Sequence, residues 1–178
     1  GYDKDAFLHY LDLGSKFSTY NKFISEALAD KRSIPQIEKF KHEPEISKQG
    51  TISSIIQAGQ QILVQIAKEP ISSKGPRLTT EISFTGRYMV LIPFGDKISI
   101  SQKIKSTEEK IRLRQLISSI KPKGFGVIVR TSAENKRVAE LNNEMRTLVK
   151  AWEESIEKMQ HSDPPTLIYE EESRAVSI

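Results

Sequence analysis

Two clusters of side chains in this 178-residue sequence have the types and spacing to do chemistry. The first is Arg130-Thr131, at the end of the apolar run Phe125-Gly126-Val127-Ile128-Val129. Such a run reads as a buried strand, and Thr131-Ser132-Ala133-Glu134 reads as a capping box that opens a long helix. A guanidinium fork, a hydroxyl, free backbone N–H groups and the positive end of the helix dipole would then converge, a set shaped for a phosphate. The alternative is that Thr131 only caps and Arg130 pairs with a surface acid. The second cluster is Phe7, with Tyr2 and Tyr10 nearby, and Lys68, Lys74 and Arg77 around a later turn. Exposed aromatics beside Lys and Arg suit single-stranded RNA on a five-stranded barrel. Buried in an apolar strand, Phe7 would instead be core. The stretch from Lys103 to Lys123 holds seven Lys or Arg against two Glu, a basic face that fits a phosphate backbone.

Templates for catalysis are missing. The sequence has no Gly-x-Ser-x-Gly, no P-loop and no dinucleotide fingerprint. Cys is absent, which excludes disulfides, thiol nucleophiles and Cys-ligated zinc. His9, His42 and His161 are scattered, with no His-x-x-x-His pair for a metal. The acids Glu108-Glu109, Glu153-Glu154 and Glu170-Glu171-Glu172 fall at helix starts, on exposed faces or in turns, where solvated surface explains them.

The elements that must position the two clusters follow from periodicity. Ala6 to Leu11 reads as a strand turned by Asp12-Leu13-Gly14, and Ser18 to Ala29 as a helix carrying Tyr20, Phe23, Ile24, Ala27 and Leu28. Asp30 to Gln49 has no period and reads as an exposed insertion. Gly59 to Ile66 reads as a strand, Leu78–Phe84 and Arg87–Ile92 as a strand pair bent at Thr85-Gly86, and Ile98–Ile104 as a further strand. Ser106-Thr107-Glu108-Glu109 starts a helix with Ile111, Leu113, Leu116, Ile117 and Ile120 inward. The longest helix, opened at Thr131, carries Val138, Leu141, Met145, Leu148, Trp152, Ile156 and Met159 as a packing stripe and stops at Asp163-Pro164-Pro165. Leu167-Ile168-Tyr169 and Arg174 to Ile178 read as strands.

Composition agrees with a folded, mildly basic chain. Hydrophobic residues make up 37% and charged residues 28%, with a formal charge of +4. That is enough apolar surface for a core, and the charge is compatible with nucleic acid. No apolar run approaches the ~20 residues of a membrane span. The opening at Gly1 and the stop inside a strand-like run at Ile178 read as a piece of a longer cytoplasmic protein.

Five stretches in order carry a resemblance: Gly1 to Tyr10, Gly59 to Ile66, Lys74-Gly75-Pro76-Arg77-Leu78-Thr79-Thr80, Gly86-Arg87-Tyr88-Met89-Val90-Leu91-Ile92-Pro93 and Gly126-Val127-Ile128-Val129-Arg130-Thr131. Together they resemble the ribonuclease E/G family of bacterial endoribonucleases, on its ribonuclease G side. The resemblance implies an α+β chain: a partial OB-fold β-barrel for RNA over 1–80 with a helical insertion at about 13–53, an α/β 5′-sensor subdomain with one long helix over 81–173, and the start of an RNase-H-like subdomain at 174–178. It implies that Phe7 and Lys74 face RNA, to which Lys68 and Lys103 add basic contacts. Gly86, Val90, Arg130 and Thr131 would form the pocket for a 5′-monophosphate. The parent enzyme would be a homo-oligomer using magnesium and zinc, with the metal-binding residues beyond Ile178, so that no catalytic or metal-binding residue is expected here. Where the ribonuclease E pattern has two Arg after Ile100-Ser101, this sequence has Gln102 and Lys103, which weakens any contact there. The opening strands of the barrel, with a second RNA-facing aromatic, would also be missing. A non-catalytic OB-fold RNA-binding module of the translation machinery is the alternative reading of the same residues.

Overall fold

The computed structural model describes residues 2–171, an α+β arrangement of two small sheets and three α-helices. The first sheet joins β1 (Phe7–Leu8), β2 (Gln65–Lys68) and β3 (Arg77–Thr79) in the order β1-β3-β2. β1 runs parallel and β2 antiparallel to β3. Helix α1 (Phe17–Ala29) lies between β1 and β2 in the chain. The second sheet joins β4 (Phe84–Thr85), β5 (Met89–Pro93), β6 (Ile98–Ile100) and β7 (Phe125–Val129) in the order β4-β5-β7-β6. Here β6 alone pairs in parallel, with β7, which the chain reaches from β6 through α2 (Thr107–Ile120). Helix α3 (Val138–Gln160) follows β7.

The second sheet carries the core on one face. Met89 and Leu91 of β5 and Val127 and Val129 of β7 are buried on that face, whereas Ile128 between them is exposed. That is the alternation expected of a sheet covered on one side. The α3 stripe of Leu141, Met145, Leu148, Trp152, Ile156 and Met159 closes on it, and α1 adds Tyr20, Phe23, Ile24 and Ala27 to the same cluster. Phe94, at φ 60°, turns the chain after β5 and drives its ring against Tyr20, Phe23 and Trp152 at centroid distances of 4.7, 5.2 and 5.9 Å. A left-handed backbone on a bulky residue is held only by packing of this kind.

Several expectations are corrected. No closed barrel forms among the described residues: the first sheet is open, and its parallel edge β1 is two residues long. The run from Gly59 becomes strand only at Gln65. After Thr79 the chain leaves the sheet, with Thr80 N–H donating to the Asp12 carbonyl at 3.0 Å and its hydroxyl to that of Leu13, so nothing pairs with residues 60–64. The expected pair Leu78–Phe84 with Arg87–Ile92 is split, since Arg77–Thr79 joins the first sheet and only Phe84–Thr85 pairs with β5. Strand Ile98–Ile104 stops at Ile100, although Ile104 is buried as expected. Ile111 is 53% exposed, because Leu113 and Ile117 alone define the buried line of α2. Leu167–Tyr169 is not a strand; Tyr169 instead stacks at a tilt on Phe84, 5.0 Å away. The strand expected at Arg174 to Ile178 lies outside the described residues.

Candidate functional site

Arg130 leaves the end of β7 with its backbone N–H on the Tyr88 carbonyl at 2.8 Å. Its side chain turns the same way, and Nη1 donates to the Gly86 carbonyl at 2.7 Å. Thr131 follows, its hydroxyl 2.9 Å from that of Ser101, which stands one residue past β6. Ser132 donates its hydroxyl proton to the Arg87 carbonyl. Three loops, 85–88, 101–104 and 130–137, therefore meet at one end of the second sheet and are tied by side chains. Among the described residues no carboxylate pairs with Arg130.

The expected helix start at Thr131 is corrected. Thr131–Ala133 is a single 3-10 turn, Asn135 takes a left-handed backbone at φ 62°, and α3 begins at Val138. Arg137 is the cap residue, its N–H donating to the Glu140 carboxylate at 3.1 Å. The Thr131 hydroxyl thus meets Ser101 instead of capping α3, which starts seven residues further on. The turn before α3 is pinned by Glu109 of α2, which accepts the Asn135 N–H at 2.7 Å and a two-pronged bond from Arg112 at 2.7 and 2.6 Å. Those bonds, the Arg112 fork foremost, hold the Glu109 carboxyl below its usual pKa against the opposing effect of burial. Arg112 also donates to the Lys136 carbonyl at 3.0 Å. Cations ring the three loops: Arg87 and Lys136 approach the Tyr88 ring at 5.5 and 5.8 Å, and Lys103 follows Ser101 with its N–H on that hydroxyl at 3.3 Å.

Gly86 is buried, and a Cβ there would strike the Glu144 carboxylate. Glu144 of α3 accepts the N–H groups of Arg87, Tyr88 and Met89 in succession, the latter two at 2.8 and 3.0 Å. Val90 lies opposite Thr85 and Ile128 across the strands, half-buried on the face away from the core. Gly86, Arg130 and Thr131 are therefore brought together, with Val90 on the adjoining sheet face. Lys103, grouped in the sequence with the first-sheet residues, joins this end instead.

The first-sheet residues form their own group. Phe7 is 57% exposed, so it is not core. It stands in register with Arg77, which in turn stands in register with Lys68 across a bulge. Arg77 is held by Asp12 through two bonds of 2.8 and 3.0 Å, which lower the Asp12 pKa and raise that of Arg77. Lys74 is exposed in a tight turn with Ile71. Tyr2 donates to Glu69 at 3.1 Å, and the half-buried Tyr10 donates to the Ser47 carbonyl at 2.6 Å. His9 caps a turn, its Nδ1 accepting the Leu11 N–H at 3.1 Å.

Sequence reasoning missed Ser101, Ser132 and Glu144. Glu144 stands beside Met145 of the α3 stripe, a carboxylate at the edge of the apolar face, and that position was its one signal. Among the described residues no three His, Asp or Glu side chains converge to hold a metal ion. No helix there is long and apolar enough to cross a membrane.

An α+β scaffold whose sheet end gathers a guanidinium with no acidic partner among the described residues, paired hydroxyls and surrounding cations is equipped to engage an anion. The profile of the ribonuclease E/G family matches residues 83–178, and the chain belongs to that family. It is 46% identical over 104 residues to ribonuclease E of Synechocystis and 42% over 117 residues to ribonuclease E of Nostoc, covering 58% and 66% of this chain. Ribonuclease G of Escherichia coli K12 is 31% identical over 174 residues, 96% of this chain. The chain spans between 15% and 31% of the length of these relatives.

Proposed function

We propose that the chain is the substrate-recognition part of a single-strand-specific endoribonuclease, binding RNA on its first sheet and sensing a 5′-monophosphate at Arg130 and Thr131. In this reading β1, β2 and β3 belong to an OB-fold barrel presenting Phe7, Lys68 and Lys74 to RNA. Gly86 and Val90 border the place of the terminal nucleotide, and Lys103 adds charge beside Thr131. Hydrolysis, with the magnesium and zinc the family resemblance implies, belongs to other parts of the enzyme. The carrying observation is the Arg130 guanidinium, fixed by the Gly86 carbonyl and free of any acidic partner among the described residues, beside the Ser101–Thr131 hydroxyl pair. A terminal monophosphate carries close to two negative charges and several acceptor oxygens, which a guanidinium and a hydroxyl can engage together. A 5′-hydroxyl end offers no such anion. The bulk of a triphosphate has to fit beside the 86–89 turn, which Glu144 fixes in place.

The test is a titration of short single-stranded RNAs that differ only at the 5′ end, at fixed salt. Losing one charge-assisted donor costs roughly 1.5–3 kcal/mol, about ten- to a hundredfold in affinity. Arg130→Ala is expected to erase the preference for monophosphate over hydroxyl, and Thr131→Val to reduce it. An undiminished preference in Arg130→Ala refutes the assignment.

A further inference from the structure

We infer that Glu144 is a positioning residue for Arg130, acting through the 86–89 turn and so setting how tightly a terminal phosphate is held. The inference rests on the proposed sensing role of Arg130 and extends it to a residue on a different element. One carboxylate accepts three consecutive backbone N–H groups, from Arg87, Tyr88 and Met89. The turn is closed by a 2.8 Å bond from Gly86 N–H to the Met89 carbonyl. Its other carbonyl of consequence, that of Gly86, accepts Arg130 Nη1. The absence of a side chain at Gly86 leaves room for the carboxylate itself, so glycine here serves Glu144 before it serves any ligand. The linkage runs from α3 through the turn amides and the Gly86 carbonyl to the guanidinium.

The sign of the effect separates this role from plain electrostatics. A carboxylate beside an anion site repels the anion, so removing its charge ought to tighten phosphate binding if charge were all. Positioning predicts the reverse. In Glu144→Gln the carboxamide keeps one acceptor oxygen, and its NH2 group faces amide donors it cannot satisfy. The turn then relaxes, the Gly86 carbonyl shifts, and Arg130 loses its fixed geometry.

The experiment compares wild type, Glu144→Gln and Gly86→Ala, each as the full 178-residue chain. The probes are a 5′-monophosphorylated and a 5′-hydroxyl pentaribonucleotide, and 15N spectra report the Arg130 side chain. The expected result is a loss of about tenfold in the monophosphate-to-hydroxyl affinity ratio in both variants, the size of one charge-assisted bond. The Arg130 guanidinium signals should also move to fast exchange. A ratio that is unchanged or raised in Glu144→Gln overturns the inference. If wild type itself shows no preference, the sensing reading fails. The Arg130 spectra then decide alone: signals identical in wild type and both variants overturn the positioning role, and loss of the ordered signals sustains it. Should Glu144→Gln fail to fold, the Arg130 spectra of Gly86→Ala decide, because Gly86 itself borders the proposed phosphate place: unchanged signals overturn the positioning role, and loss of the ordered signals sustains it.

Discussion

Truncating Phe7 to alanine separates stability from binding on the first sheet. The ring is 57% exposed, with the His9 ring as its aromatic neighbour at 6.3 Å and Arg77 opposite across the strand pair. An aromatic side chain of ~200 Å² that keeps more than half of its surface in water removes under ~90 Å² on folding. At ~25 cal/mol per Å² the ceiling is about 2 kcal/mol, and alanine retains part of it, leaving about 1 kcal/mol. A fully buried Phe would cost roughly 3–5 kcal/mol on the same change. Stacking of a base on the ring is worth ~1–3 kcal/mol, or about five- to a hundredfold in affinity. Phe7→Ala is therefore expected to shift the urea midpoint slightly while weakening single-stranded RNA binding severalfold or more, with Phe7→Trp retaining affinity. The assays are a denaturant melt and a fluorescence titration at one salt concentration. RNA affinity equal to wild type in Phe7→Ala would refute the assignment of this ring to RNA, and a stability loss of 3 kcal/mol or more would refute the burial argument.

Two further outcomes follow from the packing and the ion pairs. Trp152 is 3% exposed and meets Phe23, Phe84, Phe94 and Phe125 at centroid distances of 5.6 to 6.5 Å, so Trp152→Ala should destabilise by about 3–5 kcal/mol in chemical denaturation. Asp12 and Glu109 both have lowered carboxyl pKa values, chiefly through the Arg77 and Arg112 forks. The unfolded chain thus takes up protons first as pH falls. Their contribution is complete above the ordinary carboxylate value near ~4 and drains away as pH drops through the lowered folded values. Asp12→Asn and Glu109→Gln should each flatten the acid side of the stability curve below about pH 5, and variants with the wild-type slope would contradict the pairing.

What could be read along the chain depended on whether the deciding contact was local. The α3 stripe repeats at three and four, so Leu141, Met145, Leu148, Trp152, Ile156 and Met159 were legible and are buried, whereas Val138, read as part of the same stripe, is 46% exposed because it is the first residue of α3. The apolar run of β7 and the Ser106 cap of α2, whose hydroxyl accepts the Glu109 N–H at 3.2 Å, were legible for the same reason. The start of α3 was not. Thr131 and Glu134 satisfy the local capping pattern, but the left-handed Asn135 and the Glu109 carboxylate from α2 end that turn and restart the helix six residues later. Residues 60–64 have strand composition without a strand, because β sequence needs a partner and Thr80 has been drawn off to Asp12 and Leu13. At the candidate site, Arg130 and Thr131 were legible as neighbours in sequence. Ser101 and Glu144 were not, being 30 residues from Thr131 and 57 from Arg87.

The central claim is that the Arg130 end of the second sheet holds the 5′-phosphate of RNA. The most direct measurement is a crystal structure of the chain with a short 5′-monophosphorylated single-stranded RNA. The terminal phosphate is expected within hydrogen-bond distance of the Arg130 guanidinium and the Thr131 hydroxyl, with Arg130 Nη1 still on the Gly86 carbonyl. RNA bound with its terminal phosphate on the first sheet, at Lys68 or Lys74, and nothing at Arg130 would contradict it.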